Sequence, residues 1–260
     1  MEKTFYDWVI LILENYGTWF LKGAGVTLLI ALTGTVIGSV IGLMIGVVKT
    51  IQLSNHEGRF SPKRIGLKFL KILLTVYVEV FRGTPMIVQA VVIYYGLAEV
   101  WGIDLDPIVA GIIIVSINTG AYMSEVVRGG IQSVDKGQTE AAHAIGMTHM
   151  QTMLYVVLPQ TIRNILPATG NEFVINIKDT AVLNVISVTE LFFMTKSVNG
   201  VIFRMYETFL VAGAIYLFLT LVVTRVLRYV EKRMDGPSSY TIFGSSTMPE
   251  HLLHSTKEEV

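Results

Sequence analysis

GAGVTLLIALTGTVIGSVIGLMIGVV, Gly23 to Val48, carries no charged side chain and is bounded by Lys22 and Lys49. Crossing the hydrocarbon of a bilayer takes roughly 20 apolar residues of helix, and this run is longer. A water-soluble helix of that length would keep a polar face, and none is visible. In lipid the backbone has to satisfy its own hydrogen bonds, so a helix is the expected conformation. The chain is therefore predicted to be an all-α, polytopic membrane protein. Inside the run, Gly34, Gly38, Gly42 and Gly46 lie four residues apart. They share one helix face and form a groove without side chains, which predicts close packing against another helix.

The rest of the composition agrees. Mean hydropathy is +0.58, and 52% of residues are hydrophobic against 15% charged. With 20 basic and 20 acidic residues there is no basic footprint for nucleic acid. The absence of cysteine excludes disulfides, zinc–thiolate sites and thiol chemistry. The opening Met1-Glu2-Lys3, with Asp7 and Glu14 soon after, does not follow the order of a cleavable leader.

About five spans are expected: Gly23 to Val48; Ile72 to Ala98, broken near Arg82-Gly83-Thr84-Pro85; Pro107 to Val127; Ile165 to Phe193; and Thr208 to Leu227. Residues 1–22 read as an extracytoplasmic segment, with a short interfacial helix over 5–16 anchored by Trp8, Tyr16 and Trp19. Residues 23–233 form the membrane domain. Residues 234–260 read as a polar tail, and 52–66 as a polar loop. Lys and Arg concentrate at one side: Lys49, Arg59, Lys63, Arg64, Lys68 and Lys71 after the first span, Arg128, Lys136 and Arg163 after the third, and Arg225, Arg228, Lys232 and Arg233 after the fifth. The positive-inside rule puts these in the cytoplasm, the N-terminus outside and the C-terminus inside. Pro85 and Gly83 predict a kink in the second span, braced by a Glu79–Arg82 pair on one helical face or by a headgroup contact of Arg82 near a membrane face.

The loop after the third span holds the sharpest pattern. Glu140-Ala141-Ala142 is followed by Gly146 and then by Val156, Leu158 and Pro159. A short helix is predicted there, with Ala141, Ala142 and Ile145 on a face suited to a shallow apolar groove. Gly137 and Gly146 are expected to turn the chain at either end, and Pro159 to start the returning helix. His143 and His149 read as solvent-facing, since no carboxylate pair completes a metal site. No GxxxxGK[ST], HExxH or GxSxG is present, so neither a P-loop nor a hydrolase motif is available.

This frame, EAA-x3-G with a downstream Val-x-Leu-Pro, resembles the EAA loop of the membrane subunits of ABC importers. The flanking order sharpens it: Glu79 to Pro85, Gln89, Tyr94-Tyr95-Gly96, Arg128 to Val134, Leu158-Pro159-Gln160, Asn171-Glu172-Phe173, Lys178-Asp179-Thr180 and Ile186 to Leu191. Over about residues 20 to 230 the chain is similar to the polar amino acid branch, which imports histidine, arginine, glutamine, cystine and relatives. Val156 for Ile and Thr180-Ala181 for Thr-Ser are its departures. The resemblance implies a type I importer permease fold with a cytoplasmic coupling helix between spans three and four. It implies an ATPase-docking loop made of Glu140, Ala141, Ala142, Ile145, Gly146, Leu158 and Pro159. It further implies an ATPase subunit dimer that holds ATP and Mg, an extracytoplasmic amino acid-binding protein, and a second permease copy or paralogue completing the pore. No cofactor is then expected on this chain, and no catalysis. An ion-coupled secondary transporter is the alternative, but it would carry more spans and internal repeats.

Polar residues at membrane depth mark candidate substrate contacts. These are Asn118, Thr119 and Tyr122 in the third span, with Glu172, Lys178 and Asp179 in the fourth. Amides, hydroxyls and broken-helix backbone suit an amino acid zwitterion. Glu172 or Glu125 is a candidate reader of a cationic side chain, and pairing among the charges is the bland reading.

Overall fold

The computed structural model describes residues 3–51 and 62–234. The expected tail from 235 and most of the 52–66 loop lie outside the described residues. Among the described residues the chain is helical, with no strand. Helix α1 (Phe5–Thr50) is followed by α2 (Pro62–Gly83), α3 (Met86–Trp101), α4 (Pro107–Gln132), α5 (Lys136–Ala144), α6 (His149–Thr152), α7 (Leu158–Asp179), α8 (Leu191–Ile202) and α9 (Met205–Met234). A π-helical turn (Met153–Val157) joins α6 to α7, and a 3-10 turn (Thr180–Ile186) follows α7.

Helix α1 corrects the expected interfacial helix over 5–16. Thr4 and Asp7 form a reciprocal capping box, and the helix then runs unbroken for 46 residues. At 1.5 Å per residue it is about 69 Å long, roughly twice the hydrocarbon thickness. No Pro interrupts it, and Ile12 and Phe20 anchor its first half in a core with Leu191, Val198, Val211 and Ala212.

The glycine stripe finds its partner inside the chain. A Cβ on Gly34, Gly38, Gly42 or Gly46 would lie 2.5–2.6 Å from Val115, Thr119, Met123 or Val127 respectively. The numbers rise together, so α1 and α4 run parallel. Parallel neighbours require the intervening chain to cross back, and α2 does so. Its Lys71 Nζ donates to the carbonyls of Lys49 and Ile51 at the far end of α1, while its Tyr77 hydroxyl donates to Ile117 O at 2.5 Å. Helix α7 is antiparallel to α4: Ile165 packs on Gly130, and Asn176 reaches Thr119. Helix α9 is antiparallel to α7, with Leu227 on Gly170 and Tyr216 on Glu190. Thus α1, α4 and α9 point one way, and the two ends of the described chain lie at opposite ends of the bundle. Among the described residues three helices are long and apolar enough to cross a membrane alone, and counting each bent pair as one span gives up to five.

Both bent pairs have local causes. Helices α2 and α3 meet at 114°, where Pro85 lacks an N–H and stands as the extended cap of α3. The chain between α7 and α8 bends by 55° around Ser187, whose φ of 64° is left-handed. Glu190 then restarts the helix by accepting from Phe192 N (2.8 Å) and Phe193 N (2.6 Å). The fourth crossing, expected to end at Phe193, accordingly runs on through α8 to Ile202. A second core, with Ile30, Ala90, Ile114, Val115, Leu183 and Ile186 at its centre, joins α1, α3, α4 and the 3-10 turn.

Candidate functional site

The loop between α4 and α7 is built from local signals. Asp135 caps α5 by accepting from Gly137 N at 2.6 Å. At the other end Gly146 has φ +85°; its N–H donates to His143 O at 3.0 Å, and Met147 N–H donates to Ala142 O at 3.1 Å. That pair of bonds is a Schellman closure with Gly at the left-handed position. Thr148 and Gln151 then form a capping box that starts α6. Gly146 turns the chain as expected, whereas Gly137 sits within α5 and has no positive φ.

Ala142 is placed otherwise than its sequence suggests. It is only 4% exposed, the one buried residue of α5, and α5 packs on α6 and the π-helical turn. Ile145 is 80% exposed, and Glu140, Ala141 and Ala144 are exposed with it. Ala142 stands about 100° around the helix from Ala141, far enough to divide an inner from an outer face. The displayed surface is the exposed stretch around Ala142: Glu140, Ala141, His143, Ala144 and Ile145.

Leu158 and Pro159 open α7, as expected, but they continue a helical path rather than starting from a loop. The helical path starts at the Thr148 cap and passes through the π-helical turn, where Leu158 N–H donates to Met153 O. This wider turn accommodates Pro159, whose ring would otherwise press on the Tyr155 carbonyl.

The membrane-depth candidates fall into two groups. Asn118 belongs to the α2–α3 kink. Gln89 Nε2 donates to Phe81 O, Thr84 O and Thr84 Oγ1, each at 2.9 Å, and Asn118 Nδ2 donates to Gln89 Oε1 at 3.0 Å. These side chains satisfy carbonyls that the proline break exposes. Thr119 accepts from Asn176 Nδ2 at 2.9 Å, and Thr35 accepts from the same amide at 2.8 Å. All three are buried, so this knot ties α1, α4 and α7 together. Tyr122 is exposed, and the Arg82 guanidinium stacks over its ring at 5.4 Å from the centroid. This contact replaces the expected Glu79–Arg82 pair, which does not form among the described ion pairs.

Glu172, Lys178 and Asp179 lie on α7, the last two in its final turn. Lys178 and Asp179 are exposed and Glu172 half-buried, and no ion pair joins them among the described residues. Glu125 is committed elsewhere, to Lys49 and Arg128 at 2.8 Å each. Among the described residues no group of His, Cys, Asp and Glu could hold a metal ion.

In the sequence, Gln89 and Glu190 stand out only within the flanking motifs, without a role, and Asn176 does not stand out. Each is a polar residue buried in an apolar setting. Asn176 serves the hydroxyls of Thr35 and Thr119, remote in sequence. Gln89 serves carbonyls of the kink just before it, and Glu190 serves the N–H groups of the helix it starts. Gln89 carries a signal in standing four residues after a proline break, and Glu190 in standing just before an apolar helix.

The family described as "Binding-protein-dependent transport system inner membrane component" matches residues 65–236. The glutamine transport system permease protein of Escherichia coli is 36% identical over 217 residues, covering 82% of this chain and 92% of that protein. The arginine transport system permease protein of Bacillus subtilis is 32% identical over 216 residues, covering 83% and 92%. A solved structure described as "Crystal structure of an amino acid ABC transporter with histidines" superposes with a TM-score of 0.75 at 36% identity, covering 90% of this chain and all of that one.

Proposed function

This chain belongs to the family of binding-protein-dependent transport system inner membrane components, and from that premise we propose how it works as half of an ATP-driven pore. It is the permease subunit of an ABC importer for polar amino acids. A second copy or paralogue supplies the other half-pore. An ATPase dimer carries ATP and Mg, and an extracytoplasmic binding protein delivers the amino acid. Helix α5 docks into the ATPase through Glu140, Ala141, Ala144 and Ile145. Closure of the ATPase dimer drags α5 and re-orients the bundle. The observation that carries this reading is the displayed face of α5, with Ile145 80% exposed on a helix separated from α4 only by Ser133, Val134 and Asp135.

The basic ends of α1, α4 and α9 lie with α5 in the cytoplasm, by the positive-inside rule. Tyr122, Glu172, Lys178 and Asp179 line the substrate path, each carrying a polar group accessible from outside the packed core. Asn118 and Thr119 shape that path from behind, through the kink brace and the Asn176 knot.

The direct test reconstitutes the permease with its ATPase and binding protein and follows uptake over the proteinogenic amino acids and cystine. Uptake should require ATP, and one or a few polar amino acids should dominate. Accumulation driven by a proton gradient without ATP would sink the reading. Orientation has its own measurement, free of background because the native chain lacks cysteine. Asp104→Cys should label with an impermeant thiol reagent in intact cells, and Gln138→Cys only after lysis. The reverse pattern would invert the topology.

A further inference from the structure

We propose that Glu125 is a positioning residue for the transport cycle, fastening α4 to α1 so that α1, α4 and α5 move as one arm. The proposal rests on α5 being the docking helix. Its basis is a charge node at the base of the loop. Glu125 Oε1 takes Lys49 Nζ at 2.8 Å, and Oε2 takes Arg128 Nε at 2.8 Å, so each carboxylate oxygen has its own cation. Lys49 and Glu125 are 16% and 20% exposed, which leaves the pair only partly screened. Lys49 lies next to the end of α1, and its carbonyl accepts from Lys71 of α2 at 3.0 Å. Arg128 also reaches Gln132 Oε1 at 3.4 Å, on the last residue of α4. Two helices, α1 and α4, therefore meet at one carboxylate, and α2 is held to the same end of α1 through Lys71. The node lies in the last turns of α4, the helix that leads into α5.

The position of the node explains why it is needed. Between Gly34 and Gly46, α1 and α4 are joined by shape: glycine hollows receive Val115, Thr119, Met123 and Val127. Such packing resists separation but has few directional bonds to stop the helices shearing along each other. The Asn176 knot fixes them at Thr35 and Thr119. Among the described residues, nothing similar holds them beyond Gly46 except Lys49–Glu125. That is the end on which a pull through α5 acts, and there an ion pair with charge-assisted hydrogen bonds sets register. Beyond α4, Asn164 donates to Ser133 Oγ at 3.1 Å, so the connection from α4 to α5 is itself held to α7.

A merely structural role would lower the amount of assembled complex, whereas a transmitting role lowers the yield of transport from each ATP. In proteoliposomes holding the full complex, Glu125→Gln should retain the ATPase and hydrolyse ATP at near the wild-type basal rate. Amino acid imported per ATP should fall about five-fold or more, a coupling loss of the usual size. A Lys49→Cys, Glu125→Cys pair should behave likewise while reduced, and should recover when joined by a short bifunctional thiol reagent. A wild-type import ratio in Glu125→Gln would overturn the proposal. So would loss of the ATPase from that variant, or a joined pair that stays uncoupled. A wild-type complex that imports without hydrolysing ATP would instead refute the docking reading, whatever Glu125 does.

Discussion

Gly42→Leu is expected to remove most folded, assembled permease from the membrane. A Cβ on Gly42 would lie 2.5 Å from Met123 Cβ, 2.8 Å from Met123 C and 2.8 Å from Ser124 N. Two of those three atoms are backbone, so no rotamer change on α4 relieves the clash, and α1 and α4 have to separate. Overpacking costs about 1–3 kcal/mol where side chains can give way; here the cost exceeds that range. Alanine is not a mild substitute at this position, because the clash begins at Cβ. Gly17 is the internal control, since nothing lies within 4 Å of a Cβ built there, and Gly17→Leu should leave the yield unchanged. The measurement is detergent-resistant complex by size exclusion, together with uptake. Normal assembly of Gly42→Leu would mean that α1 and α4 do not pack through the glycine stripe.

Most of the architecture is legible in the sequence because bilayer physics is coarse. Long uncharged runs can only be helices, and the glycine spacing announces a close contact without naming its partner. Reading α4 as that partner takes the structure, since Val115, Thr119, Met123 and Val127 carry no mark of their own. The misplaced elements share a cause. The fourth span looks as if it ends at Phe193 because Lys196, Ser197 and Asn199 interrupt the apolar pattern beyond it. Glu190 nevertheless caps a helix there, and Lys196 bonds Asn184 at 3.1 Å. The 5–16 segment looks interfacial because Asp7 and Glu14 break its hydropathy, yet nothing in it ends a helix. Asn118 looks like a ligand group because polarity in lipid reads as function. Its amide instead serves carbonyls opened by Pro85, a need visible only once α2 and α3 are seen to bend by 114°. Ala142 was assigned to the docking face because alanines on a nine-residue helix give periodicity too little contrast to separate its sides.

That last correction decides which substitution tests the loop. Ile145→Asp should leave membrane insertion, yield and the glycine-packed core intact, because Ile145 is 80% exposed and α5 lies outside the bundle. It should weaken retention of the ATPase by at least about thirty-fold, equivalent to the ~2 kcal/mol of an interface hot spot. The physical reason is that an exposed isoleucine buried by a partner becomes a carboxylate that would have to be desolvated without a counter-charge. Ala142→Asp should fail for a different reason. Its charge would be forced between α5 and the α6 segment, so the loop itself would deform and become more sensitive to limited proteolysis before any partner is added. Gly146→Val shares that second behaviour, since a β-branched residue at φ +85° opposes the Schellman closure. The three variants thus separate docking from loop integrity. Only Ile145→Asp should combine wild-type protease resistance with loss of ATPase binding and of uptake. If it retains the ATPase at wild-type affinity, the exposed face of α5 is not the docking surface, and the handle has to be sought elsewhere among the residues at that end of the bundle.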